Sequence, residues 1–249
     1  MQALFTLTRR ELATYFVSFT GYVIMAAATF LIGLSFVVLV RNLGSEPSPM
    51  PVTEMFYSTF FFWLLLLLAA PVITMRLFAL EKHSGTFETL MTTPVSDIQV
   101  VTAKFVAAVI FYVVMWLPML GCLFVVQRYS TQAGLDWATV GSTYLGIFLL
   151  GCLFLSLGCF ASAITRSQTV AAMVTFVLGI TLFALAFLAG QVPASSELPS
   201  QVLNYFALFQ QMNDFARGVV DTRPIMVYAS LTGLFLFLTL RAVESRRWR

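Results

Sequence analysis

The chain has 249 residues, 59% of them hydrophobic and only 10% charged, with a mean hydropathy of +0.90 and a net charge of +3. A soluble domain carries roughly 25% charged residues, so a water-soluble enzyme and a nucleic-acid binder are both excluded. Three cysteines are too few for a disulfide framework.

In chain order, residues 1–16 come first and are mixed. Leu4, Phe5, Leu7, Leu12, Tyr15 and Phe16 alternate with Thr8, Arg9, Arg10 and Glu11. This pattern predicts a short helix lying in the cytoplasmic interface, with Arg9 and Arg10 near anionic headgroups. Thr8-Arg9-Arg10-Glu11 fits a capping box. The alternative is a plain solvated start to the first span.

Charge-free runs then set the membrane spans, since a spanning helix needs roughly 20 apolar residues. Such runs hold 29 residues after Glu11, 21 after Glu54, 23 after Lys104, 29 after Asp136, 30 after Arg166 and 17 after Arg223. They predict an all-α polytopic membrane protein with one transmembrane domain over 1–249. Its six spans lie near 18–40, 56–75, 104–126, 138–164, 168–190 and 224–242. The first run is too long for a signal-peptide core, so it reads as an uncleaved anchor. Six spans put both termini on one side. That side carries ten basic residues (Arg9, Arg10, Arg76, Lys82, Lys104, Arg166, Arg241, Arg246, Arg247, Arg249) against four opposite (Arg41, Arg128, Arg217, Arg223). The bias predicts cytoplasmic termini.

The segment 76–103 is the longest predicted cytoplasmic stretch. Gly85 permits a sharp change of direction. Phe87, Leu90 and Met91 fall at i, i+3 and i+4, giving a short helix an apolar face, and Thr93 before Pro94 ends it. Ser96-Asp97-Ile98-Gln99 forms a capping box for the third span. An apolar knob between charged flanks suits docking onto a partner; a solvated connector has no use for it. On the other side, Gly44, Pro47, Pro49, Pro51 and Gly134 mark plain connectors. Within 191–223, Leu198, Val202, Tyr205 or Phe206, Phe209 and Met212 recur at helical spacing. They predict an amphipathic or re-entrant helix ended by Gly218.

Several chemistries lack their residues. There is no G-x-x-x-x-G-K-S/T loop to cradle a nucleotide. The one histidine, His83, lies in the 76–103 loop and reads as a surface residue. Cys122, Cys152 and Cys159 lie in spans without metal-ligand spacing and read as packing residues. No ionisable residue falls well inside a predicted span, which argues against a proton relay. Gly151, Cys152, Ser156, Gly158, Cys159, Ser162 and Ala163 line the fourth span with small residues, suited to close packing within the chain. Pro71, Pro118 and Gly179 are candidate kinks.

The run Glu81-Lys82-His83-Ser84-Gly85-Thr86-Phe87-Glu88-Thr89-Leu90 with Pro94-Val95-Ser96 and Lys104 resembles the signature loop of ABC-2 type transporter permeases. The segments from Asp214 to Asp221, through Tyr228, and from Glu244 to Trp248 resemble the branch containing gliding-motility permeases. The resemblance covers essentially the whole chain. It implies a permease subunit with an elbow helix, six spans and a coupling helix docking on a separate ATP-binding cassette ATPase. Glu81, Gly85, Thr86, Phe87, Glu88, Leu90, Met91 and Pro94 would then be the coupling residues. No cofactor is expected on this chain; ATP and Mg would sit on the ATPase. Implied partners are the ATPase, a second permease (the same or a different chain), an extracytoplasmic accessory protein, and the lipid of the cytoplasmic membrane. The mechanism implied is alternating access. A secondary carrier or channel without an ATPase is the alternative, and an intramembrane enzyme lacks paired polar residues at membrane depth.

Overall fold

The computed structural model describes residues 2–45, 51–85, 96–129, 136–191 and 205–245. Eleven helices occupy these residues, and no strand occurs among them. They are α1 Gln2–Val17, α2 Phe19–Ser45, α3 Val52–Tyr57, α4 Phe60–Thr74, α5 Ala79–Ser84, α6 Asp97–Met115, α7 Leu117–Tyr129, α8 Trp137–Ile164, α9 Gln168–Gln191, α10 Leu208–Ala216 and α11 Thr222–Glu244. Six stretches are long and apolar enough to cross a bilayer: Phe19–Asn42, Phe60–Ser84, Asp97–Tyr129, Trp137–Ile164, Gln168–Gln191 and Thr222–Glu244. They match the six spans expected from the charge gaps. The third begins seven residues earlier than expected, so Lys104 lies inside it. The second extends to Ser84 and takes in Arg76 and Glu81, so the expectation of spans free of ionisable groups fails at this end.

The fourth span is the axis of the bundle. About 72% of its most apolar window is buried, against 11% for the sixth, and α8 packs on α11, α9, α10, α4 and α6. Its small residues explain how. A Cβ on Gly151 would overlap the Tyr112 ring, and one on Gly158 would overlap the Thr74 side chain. Where packing rather than water drives association, such close approach is what holds spans together. The small stripe is thus spent within the chain, as expected. Gly179 serves the same purpose: α9 is unbroken there, and a Cβ would come within 2.9 Å of Leu67. The helix runs through Gly179 without a break, and its missing side chain makes room for a neighbour.

Two spans are broken. The third divides at Trp116, two residues before Pro118, which has no N–H to continue the ladder. The Trp116 carbonyl there accepts from the Tyr144 hydroxyl at 3.0 Å. The second contains Pro71 and divides slightly later, at residues 75–78. The backbone N–H groups of Phe78 and Ala79, which begin the new helix, have no helical partners. Ser162 Oγ of the fourth span accepts both, at 3.0 and 3.1 Å.

Three expectations need correction. The Thr8–Glu11 capping box does not form, because α1 starts at Gln2. Thr8 sits inside it and donates to the Leu4 carbonyl at 2.9 Å. Residues 52–57 are no plain connector: they form α3, and all six are buried. The amphipathic helix of the last loop begins at Leu208. Its apolar face, including Met212 and Phe215, packs on α8. Leu198 and Val202 fall outside the described residues. Gly218 does end that helix, with φ 86°. Its N–H donates to the Phe215 carbonyl and that of Val219 to Asp214, the double bond of a Schellman motif.

Candidate functional site

At the end of the bundle that carries both termini, three helices are joined by charge. The Lys104 ammonium, on α6, lies 3.0 Å from Glu11 of α1 and 2.8 Å from Glu81 of α5. Lys104 is only 2% exposed. A buried ammonium is tolerable only when paired and hydrogen-bonded, and two carboxylates do this here. Arg10 stands 4.0 Å from Glu81 on the outside of the cluster. The Phe78 ring, 5.5 Å from the ammonium, closes another side.

The elbow helix is docked, not merely laid alongside. Tyr15 stacks on Phe111 of α6 with ring centroids 4.9 Å apart, and its hydroxyl donates to the Ile73 carbonyl at 3.0 Å. Burial, reinforced by nearby Cys159 and Glu11, holds the Tyr15 phenol well above its ordinary pKa, so it stays a donor. The chain then turns into α2 through Ser18. Gly21 is required at that turn, since a Cβ there would overlap the Tyr15 carbonyl.

Glu81 and Gly85 are the sequence-predicted coupling residues that fall within the described chain. Glu81 belongs to the charged cluster, and Gly85 ends α5 in the left-handed conformation, with φ 75°. Thr86, Phe87, Glu88, Leu90, Met91 and Pro94 lie outside the described residues. The chain is described again at Ser96, where the expected capping box is present between Ser96 and Gln99. Both roots of the segment 86–95 therefore stand beside one cluster: α5 carries Glu81 and α6 carries Lys104. His83 is exposed, as expected. Arg9 is exposed and outside the cluster, and Arg10 is at its edge.

A second ion pair marks the opposite end. Arg217, just after α10, donates from Nε and Nη2 to the two oxygens of Glu54 on α3, at 3.0 and 2.8 Å. Glu54 is buried while about half of Arg217 is exposed. Hydrogen bonding to Glu54 raises the Arg217 pKa, and burial, with the Glu54 charge behind it, pushes Tyr57 up to about 12. Thr53 and Ser142 donate to the Ala216 and Phe215 carbonyls at 2.7 and 2.6 Å. The last turn of α10 is thus satisfied by side chains of α3 and α8. Sequence reasoning missed this end. The signal was there: Glu54 directly precedes an apolar run, and Arg217 precedes the glycine that ends a helix.

What the two ends share is a buried ion-paired joint that ties several helices together. Among curated proteins no match is found. A family model described as "ABC-2 family transporter protein" matches residues 8–240, which takes in most of the elbow helix, five spans whole, all but the last four residues of the sixth, and both ion-pair clusters. The chain belongs to the ABC-2 family of transporter proteins.

Proposed function

We propose that this permease is driven by a separate ABC ATPase docking on the segment 76–103, and that ATP binding and hydrolysis there switch the six spans between alternating-access states. ABC-2 family proteins are the permease components of ABC transporters, which supports the reading. The observation that carries it is the position of the Lys104 cluster. The segment 86–95 leaves from α5 and returns into α6, and Lys104 ties those two helices to each other and to the elbow. A push on the segment therefore reaches the second span, the third span and α1 together.

In this reading ATP and Mg bind the ATPase, and a second permease, the same chain or another, completes the pathway. The termini and the segment 76–103 face the cytoplasm, and the membrane is the cytoplasmic one. An extracytoplasmic accessory protein is a further partner. The likeness of residues 214–221 and 244–248 to the gliding-motility permease branch supports assigning the chain to that branch.

The test uses a pull-down from native membranes with the full chain as bait. A phosphate-loop ATPase should co-purify, and Leu90→Asp should lose it while inserting into the membrane at the wild-type level. Normal capture by the Leu90→Asp chain would refute the coupling role, as would ATP hydrolysis by the purified chain alone. Transport by the reconstituted chain without any ATPase would favour a secondary carrier or channel instead.

A further inference from the structure

A cavity of about 220 Å³ lies between α1, the start of α2 and the end of the second span. Its walls carry three cations, Arg10, Arg76 and Lys104, and two carboxylates, Glu11 and Glu81. Within the protein these charges do not close. Lys104 is taken up by both carboxylates, and Arg10 stands 4.0 Å from Glu81. Among the described residues Arg76 has no ion pair, and its Nε is buried without a hydrogen-bond partner. Glu81 Oε2 is likewise buried and unpartnered. Leaving such groups unpaired costs free energy, more for charged groups than for neutral ones. Among the described residues the cavity walls thus carry one surplus positive charge, beside a buried donor and a buried acceptor left unpartnered.

One class of molecule meets all three and is always present at a membrane surface. We propose that this cavity binds the headgroup of an anionic phospholipid, whose phosphodiester accepts from the Arg76 guanidinium while a headgroup hydroxyl donates to Glu81. The shared chemistry is a phosphate, for which the planar guanidinium fork is suited. A singly charged phosphodiester balances the surplus, and basic pockets between spans are a known setting for such headgroups. Ile24 and Val72 on the same walls offer apolar surface to the chain leading out. Phosphatidylglycerol supplies the charge and the hydroxyl donors. Phosphatidylcholine has the phosphate but neither net charge nor donor. The inference requires only that the chain spans a membrane; it does not depend on an ATPase partner.

The experiment takes the full chain, stripped of lipid in detergent. Native mass spectrometry and thermal melting are followed as phosphatidylglycerol, phosphatidylcholine or inorganic phosphate is added. Phosphatidylglycerol should bind at one molecule per chain and raise the melting temperature, and phosphatidylcholine should not. Arg76→Gln should weaken phosphatidylglycerol roughly tenfold or more, the loss expected of a charge-assisted hydrogen bond. Arg9→Gln, on the exposed side of α1, should leave it unchanged. Equal binding of the two lipids, or an undiminished response in Arg76→Gln, would overturn the site. A full response to inorganic phosphate alone would overturn the lipid assignment in favour of a soluble phosphate. If Arg76→Gln does not fold, Arg76→Lys decides the same point, since it keeps the charge and loses the fork.

Discussion

Removing the Lys104 ammonium leaves Glu11 and Glu81 as two like charges at a buried joint. Breaking a buried ion cluster by deleting one partner costs about 3–5 kcal/mol, because the remaining charges lose their compensation. Lys104→Met should therefore melt well below the wild type in detergent, and adding Glu11→Gln to it should recover part of the loss. An unchanged melting temperature in Lys104→Met would show that the cluster carries no stability. The three residues were each visible in the sequence, but under other roles. Glu11 reads as the end of a capping box, while Glu81 and Lys104 read as separate letters of a loop motif. Their meeting depends on contacts 93 and 23 positions apart, which no local spacing encodes. Glu54 and Arg217, 163 positions apart, were hidden for the same reason.

Between helices, the decisive quantity is whether a glycine faces a neighbour. Gly158 does, through Thr74, and Gly233 on α11 has open space where a Cβ would go. Gly158→Ala should destabilise by about 1–3 kcal/mol, the usual cost of forcing an atom into a packed site. Gly233→Ala should be neutral or gain up to about 1 kcal/mol from helix propensity. Thermal melting of the two purified variants checks the sign of each, and equal effects would mean that α8 and α4 are not packed as described. The sequence already marked Gly158 as part of a small-residue stripe, and it marked the break near Pro118 by its missing N–H. It did not mark α3. Val52–Tyr57 is too short for a period to emerge, and its burial comes from α8, α10 and α2, not from its own pattern. The break at residues 75–78 was equally silent, since its residues include neither glycine nor proline and its backbone is completed by Ser162, far along the chain.

For the molecule as a whole, the spans were legible because bilayer thickness imposes a length that charges interrupt. The ten-to-four distribution of basic residues predicts that both termini face the cytoplasm. A C-terminal tag should be cut by protease in inverted vesicles and protected in intact spheroplasts, and the reverse pattern would invert the assignment of sides. The same end of the molecule holds the divided second span. Its outer piece, α5, is six residues long, an arm of about 9 Å at 1.5 Å per residue. That arm is set off from α4 by the turn at residues 75–78; its base rests on the Ser162 hydroxyl of the fourth span, and its tip is Gly85. A load on the tip turns such an arm about its base, as a rocker, instead of driving it lengthwise as a piston. Under the proposed coupling, the thrust would leave sideways, through Ser162 into the axis of the bundle and through Glu81 into the third span, so that the second span would deflect force to its neighbours before moving itself.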